Sequence, residues 1–393
     1  MVLKTDRRLF LQSSVAGAAL TLLTPSSPWA SALIERRRLL VVLLKGGLDG
    51  LTAVPPYGDP AYASIRPTIH VKKPLRLDAD FGLHPALSGL HQIWSEGNLA
   101  VVHGTGFEYR GRSHFEGQDI MQTGVMKPYT SPSGWLGRAM HVSRASGGVA
   151  VSIPMPLILR GDIGSDTDYP NWMPKPSLRV AEDVLRLWAN DEALKPYAEK
   201  IYEDAASASS RPQRMTGAEY RESLSPGALA RAAGDKMKDP SGPRVGLIEF
   251  THGFDTHANQ GDDQGQHADR LADLDSMIRE FKAAIGAEWK NSLVVTVTEF
   301  GRTVRENGTT GTDHGVGTCC LLAGGLVNKS KVYADWRGLD PQNWYEGRDL
   351  LPTIDTMAVY ARVVQSVFRI EEQVIQKELF GFKPSKFLQD FLV

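Results

Sequence analysis

The chain of 393 residues is 42% hydrophobic, enough to build one large domain or two ordinary ones around a substantial core. Its 44 basic residues nearly cancel 45 acidic ones, so no overall field argues for nucleic acid or an anionic membrane as a partner. Any ligand has to be found from local groups.

At the N-terminus Arg7 and Arg8 precede the apolar run SSVAGAALTLL, and the small-residue stretch Ala30-Ser31-Ala32 follows. The pattern resembles a twin-arginine signal peptide cut after Ala32, so residues 1–32 are expected to be a leader and 33–393 the mature chain. The run is short for a membrane span and rich in Ala, Gly and Ser, although an uncleaved anchor stays open. No later segment approaches the ~20 apolar residues that a spanning helix needs. The expectation is a periplasmic or secreted protein, with the twin-arginine export machinery as a partner and no stable membrane span. Cargo of that route folds before export, often with a cofactor loaded, which raises the odds of a metal site.

The apolar run RRRLLVVLLKGG at 36–47 ends in glycines and predicts a strand buried on both faces. Residues 84–97 space Leu87, Leu90, His91 and Trp94 helically between Pro85 and Gly97, and a second strand follows at 98–104. The order recurs as strand 244–250, helix 265–286 and strand 291–298. Strand, helix, strand predicts an α/β sandwich with a mostly parallel sheet. Residues 125–240 are rich in Pro, Gly and Ser in their first part and are expected to form a cap-like insertion over one sheet edge, within a single domain 33–393. The only cysteines, Cys319 and Cys320, are adjacent and are expected to be small buried residues.

In a parallel α/β sheet, function gathers beyond the carboxyl ends of the strands. Asp49 follows the first strand, Ser113 lies in the loop after the second, Asp255 and His257 follow 244–250, and Glu299 ends 291–298. His314 precedes the apolar run 316–324 instead of following one. No helical pattern separates Glu299 from that run, so the run should be antiparallel and should return His314 to the same edge. Carboxylates and imidazoles converging from distant parts of the chain suit a divalent metal. Imidazole favours zinc, manganese or iron, and the extra carboxylates leave calcium and magnesium open. A hydroxyl beside such a cation can act as a nucleophile, and Ser113 is the natural candidate, while Arg112 and Arg302 can clamp the oxygens of a phosphate or sulfate. Each position also has a structural reading: Asp49 as a turn cap, Ser113 as a helix N-cap, Asp255-Thr256-His257 as a hydrogen-bonded turn, Glu299 with Arg302 as an ion pair. His84, His91 and His103 are expected to be structural.

The stretches LLKGGLDGLTAVPPYGDPAYASIRP, RSHFEGQDIMQTG, FDTHANQ, TEFGRTVREN and GTDHG together resemble the exported bacterial family called domain of unknown function 1501. More distantly, the motif order is similar to that of the alkaline phosphatase superfamily, which includes sulfatases and phosphodiesterases. That resemblance implies an alkaline-phosphatase-like sandwich and a two-metal site, one cation held by Asp255, His257 and His314, the other by Asp49 and Glu299 with Ser113 nearby. The chain departs from the pattern at two places. Only Thr256 separates Asp255 from His257, where the superfamily has a longer spacing, and Phe300 stands where a histidine should follow Glu299. His114, His252 or Asp313 would have to substitute, or the second cation is absent. The reading is an exported metal-dependent hydrolase of phosphate or sulfate esters acting on a small or polymeric anionic substrate. Its alternative is a non-catalytic envelope protein that retains the fold for surface assembly or polymer binding.

Overall fold

The first strand, Arg38–Leu44, is buried along its whole length because its two faces meet two different helical layers. In the computed structural model, which describes residues 37–393 apart from 146, 152–154, 162–164, 168–176, 193, 208–216, 251–252, 381–387 and 389, this strand lies near the middle of a large sheet. The expected leader at 1–32 and His252 fall outside the described residues.

In chain order the first half supplies β1 (Arg38–Leu44), α1 (Gly50–Ala53), α2 (Ser88–Ser95), β2 (Leu99–Gly106), α3 (His114–Thr123), β3 (Gly148–Val151) and β4 (Ser165–Thr167). The second supplies α4 (Pro226–Met237), β5 (Val245–Phe250), α5 (Gln266–Ile285), β6 (Ser292–Val297), β7 (Thr318–Ala323), β8 (Lys331–Tyr333) and α6 (Thr356–Phe368). The strands lie in the order β8-β2-β7-β6-β1-β5-β3-β4. They pair parallel except β7, which is antiparallel to both of its neighbours, β2 and β6. Between β6 and β7 there is no crossover helix, only the two-residue strands Gly301–Arg302 and His314–Gly315 paired with each other, so the chain has to turn back where it left the sheet.

Alternation along β1 divides the core. Leu39, Val41 and Leu43 join Met357, Tyr360 and Val364 of α6 together with Trp135, whose ring stacks on Tyr360 at 4.6 Å. Leu40 meets Met237 of α4 over Gly246, where a Cβ would collide with the Met237 sulfur at 2.5 Å. α5 packs on α4 and buries Leu271, Leu274, Ile278, Phe281 and Ile285 at helical spacing. The protein is therefore an α/β sandwich with helices on both faces of a mostly parallel sheet. Each fully buried Leu or Val of β1 stabilises this arrangement by about 1.5–3 kcal/mol relative to exposure.

The helix expected at 84–97 forms as a 3₁₀ turn, Pro85–Leu87, that runs on into α2, with Gly97 in the left-handed region at φ 82° just past its end. Cys319 and Cys320 are buried and unbridged. Residues up to Asp168 and from Pro226 onward make one compact unit, and Tyr169–Ser225 makes a second. Of the stretch 125–240, residues 125–168 and 226–240 thus belong to the sheet-bearing unit. The second unit carries helices Leu178–Leu187, Lys195–Ser207 and Gly217–Ser223, the first of them capped by the Ser177 hydroxyl. Among the described residues no helix is long and apolar enough to cross a membrane.

Candidate metal centre

The loops beyond the carboxyl ends of β1, β5 and β6 are drawn together by one guanidinium. Arg302 is 1% exposed and donates to the carbonyls of Gly46, Gly47, Phe254 and Thr312 and to the Asp255 carboxylate, the last at 2.5 Å. Gly46 and Gly47 turn β1 toward it at φ 108° and 76°. A Cβ at Gly46 would strike the Phe254 backbone nitrogen at 2.5 Å, and one at Gly47 the Phe300 ring at 2.7 Å, so the Lys45-Gly46-Gly47 turn has no room for side chains.

Asp255, held by Arg302, is the hub of three imidazoles. Its Oδ1 lies 3.0 Å from His257 Nε2 and 3.1 Å from His314 Nε2, and those two nitrogens are 3.0 Å apart. Its Oδ2 lies 3.4 Å from His114 Nε2, a buried nitrogen with no hydrogen-bond partner among the described residues. Potential ligand atoms of His114, Asp255 and His314 all fall within 4.8 Å of one another.

The other ring nitrogens fix the tautomers. His114 Nδ1 faces Glu299 Oε1 at 2.8 Å, His257 Nδ1 faces Asp313 Oδ1 at 3.2 Å, and His314 Nδ1 faces the Arg112 carbonyl at 2.9 Å. Each of these partners only accepts, so each Nδ1 carries the proton, and in its neutral form each ring turns a lone pair from Nε2 toward Asp255. The Nε2 lone pairs of His257 and His314 and the Asp255 carboxylate lie within hydrogen-bond distance of one another, with that of His114 close by, and they repel one another unless a cation or an extra proton lies among them. An imidazole pinned through Nδ1 by an oxygen, with Nε2 aimed at a shared point, is the arrangement of a metal-ligating histidine.

Burial raises the Asp255 carboxyl, but the hydrogen bond and charge of Arg302 outweigh it and hold the group below the usual carboxylate range. His114 is raised because its hydrogen bond to the buried Glu299 carboxylate overcomes the desolvation of the ring. His314, whose Nδ1 partner is a neutral carbonyl, is lowered by burial instead.

Asp49, expected among the ligands, belongs to a different cluster. It caps α1 through Leu51 N–H and accepts from Thr52, from Gln260 at 2.6 Å and from Arg66 at 2.6 Å, with both charged partners fully buried. Glu299 stands behind the centre. Its Oε1 accepts from Gly46 N–H, His114 Nδ1 and Gln118, which together outweigh burial and keep its pKa low. His114 takes the forward position. Its place directly after Ser113 was the available signal, and the direction in which Glu299 turns was not readable from spacing.

Ser113 occupies the N-cap position of α3, but its side chain makes no capping bond. The sequence Ser113-His114-Phe115-Glu116 has the form of a capping box. Tyr109 interrupts it: the phenol donates to Glu116 at 2.5 Å and accepts from Ser113 N–H at 3.3 Å. Arg112 is spent on Asp349, at 2.8 and 2.6 Å, and on Glu346 at 2.5 Å, and sits in the left-handed region at φ 54° while its carbonyl orients His314. Both arginines expected to clamp an anion therefore serve the protein's own backbone and carboxylates.

The model of the family described as "Protein of unknown function (DUF1501)" matches residues 180–379. Comparison with curated proteins returns no match. Solved structures similar to the chain include the C-terminal periplasmic domain of EcEptC from Escherichia coli in complex with Zn, at 14% identity over 73% of this chain and 73% of that one with a TM-score of 0.38. PsFucS1 sulfatase from Pseudoalteromonas sp. matches at 10% identity over 92% and 79%, TM-score 0.42. Alkaline phosphatase from the Antarctic bacterium TAB5 matches at 11% identity over 73% and 91%, TM-score 0.32. These likenesses are remote, and no residue of the centre is assigned from them.

Proposed function

This chain belongs to the DUF1501 family, and we propose that it is an exported metal-dependent hydrolase of phosphate or sulfate esters. The observation that carries this reading is the convergence of three Nε2 lone pairs, from His114, His257 and His314, on the Asp255 carboxylate with every Nδ1 proton already committed. Three imidazoles and one carboxylate favour zinc, manganese or iron over calcium and magnesium, which prefer oxygen ligands. A divalent cation held by these four residues would supply Lewis acidity to an ester oxygen.

The chain's own residues prepare that chemistry. Arg302 keeps Asp255 ionised and fixes it against three loops, and Glu299, Asp313 and the Arg112 carbonyl hold the imidazoles in one tautomer. Ser113 is the proposed nucleophile: it precedes His114 directly, is half-buried, and does not spend its hydroxyl on the helix cap. Asp49 and Glu299, saturated by protein donors, leave a single cation as the proposal rather than two. Purified protein should contain divalent metal, and Ser113→Ala should abolish turnover of aryl phosphates, phosphodiesters or aryl sulfates while metal stays bound.

One observation favours the rival, a non-catalytic envelope protein that binds through the same centre: neither Arg112 nor Arg302 is free to hold an ester's oxygens. Metal-loaded protein that turns over none of these ester classes with any of several cations would decide for it.

A further inference from the structure

His257 and His314 of the centre also line a cleft of ≈ 640 Å³. Most charged groups in its wall are already committed. Asp313 accepts from His257 and Asn307, Glu306 accepts from the backbone of Thr68 and Ile69, and Arg348 donates to the His314 carbonyl and pairs with Asp349. Arg112 is held by Glu346 and Asp349.

Arg305 differs from these. It is exposed, its guanidinium carbon lies 4.8 Å from the centre of the Trp344 ring, and among the described residues its side chain has no carboxylate or carbonyl partner. Trp344 is itself fixed through its indole N–H to the Leu339 carbonyl at 2.9 Å. A guanidinium resting on an anchored indole is oriented without having its N–H edge consumed, which is how an arginine is kept ready for an oxyanion.

We infer that Arg305 is a second anion subsite, taking a phosphate, sulfate or carboxylate group carried by the same molecule whose ester lies at the metal centre. The inference rests on the proposed hydrolase reading for the word substrate, but not for the binding itself. It narrows the substrate class to esters with at least two anionic groups, such as a multiply phosphorylated or sulfated saccharide.

The test compares binding of fructose 6-phosphate and fructose 1,6-bisphosphate by calorimetry, using the metal-loaded full chain. Wild type is expected to bind the bisphosphate more tightly. Arg305→Ala should weaken the bisphosphate about tenfold, the low end for a charge-assisted hydrogen bond, and leave the monophosphate within about twofold. Arg305→Lys, which keeps the charge but loses the planar fork, should fall between. Equal binding of the two sugars by wild type, or equal losses for both in Arg305→Ala, overturns the subsite. Calorimetry reads binding alone, so a differential loss sustains the subsite whatever the separate ester assays show, and a lack of turnover in those assays counts against the hydrolase alone.

Discussion

The Nε2 atoms of His257 and His314 face each other at 3.0 Å, on rings whose Nδ1 protons are already given to Asp313 and to the Arg112 carbonyl. Neither nitrogen of a neutral pair can then donate to the other. The contact and the nearby Asp255 Oδ1 make sense together when a positive charge sits among the three atoms, and the surrounding loops are braced to keep them there.

The bracing separates roles that the residue types alone do not. Glu299→Gln keeps the shape of the side chain but removes the charge that holds His114 in place. We expect metal affinity to fall about ten- to a hundredfold while the protein remains folded. Titration of the apoprotein with zinc or manganese checks this, and an unchanged affinity would remove Glu299 from the centre's support.

Asp49→Asn tests the opposite assignment. Burial alone would raise this carboxyl, yet Arg66 and the Arg66 and Thr52 hydrogen bonds hold it well below the usual range. The substitution leaves the buried Arg66 charge uncompensated and should cost about 3–5 kcal/mol of stability without changing metal stoichiometry. Because the folded-state pKa is depressed, the stabilisation is fully present above the ordinary aspartate range, near pH ~4, and is lost as pH falls from there toward the folded value. Acid unfolding of wild type and variant should therefore converge at low pH. Loss of bound metal in Asp49→Asn would instead return Asp49 to the ligand set.

Ser113→Ala should be nearly silent in thermal unfolding, with a change under ~0.5 kcal/mol, whereas replacing a serine that truly caps a helix costs about 1 kcal/mol. A clear loss of stability would mean that the hydroxyl works as a cap in solution and would weaken its candidacy as the nucleophile.

Much of the architecture was legible because it depends on periodicity. The unbroken apolar run of β1 announces a strand covered on both faces, and the spacing of Leu271, Leu274, Ile278 and Phe281 announces α5. The direction of β7 followed from the lack of a crossover helix before it. The partition of the site was not legible, because position at a sheet edge does not say which way a side chain turns. Glu299 turns inward to Gly46 N–H, and Asp49 turns to an arginine seventeen positions onward, a pairing that no spacing rule announces. Tyr109, which opens the capping box at Ser113, looks like any loop aromatic until its phenol is placed.

Export is testable apart from the centre. Arg7→Lys combined with Arg8→Lys should hold the full chain in the cytoplasm of its host, measured by cell fractionation. Undiminished export of the double variant would contradict a twin-arginine leader.

The most direct measurement is the metal content of protein exported by its own host, set beside that of the His257→Ala, His314→Ala double variant. The account predicts a single divalent ion in the wild type and its loss from a double variant that stays folded. Wild-type protein that is folded and metal-free, or a double variant that keeps its full metal content, would contradict it.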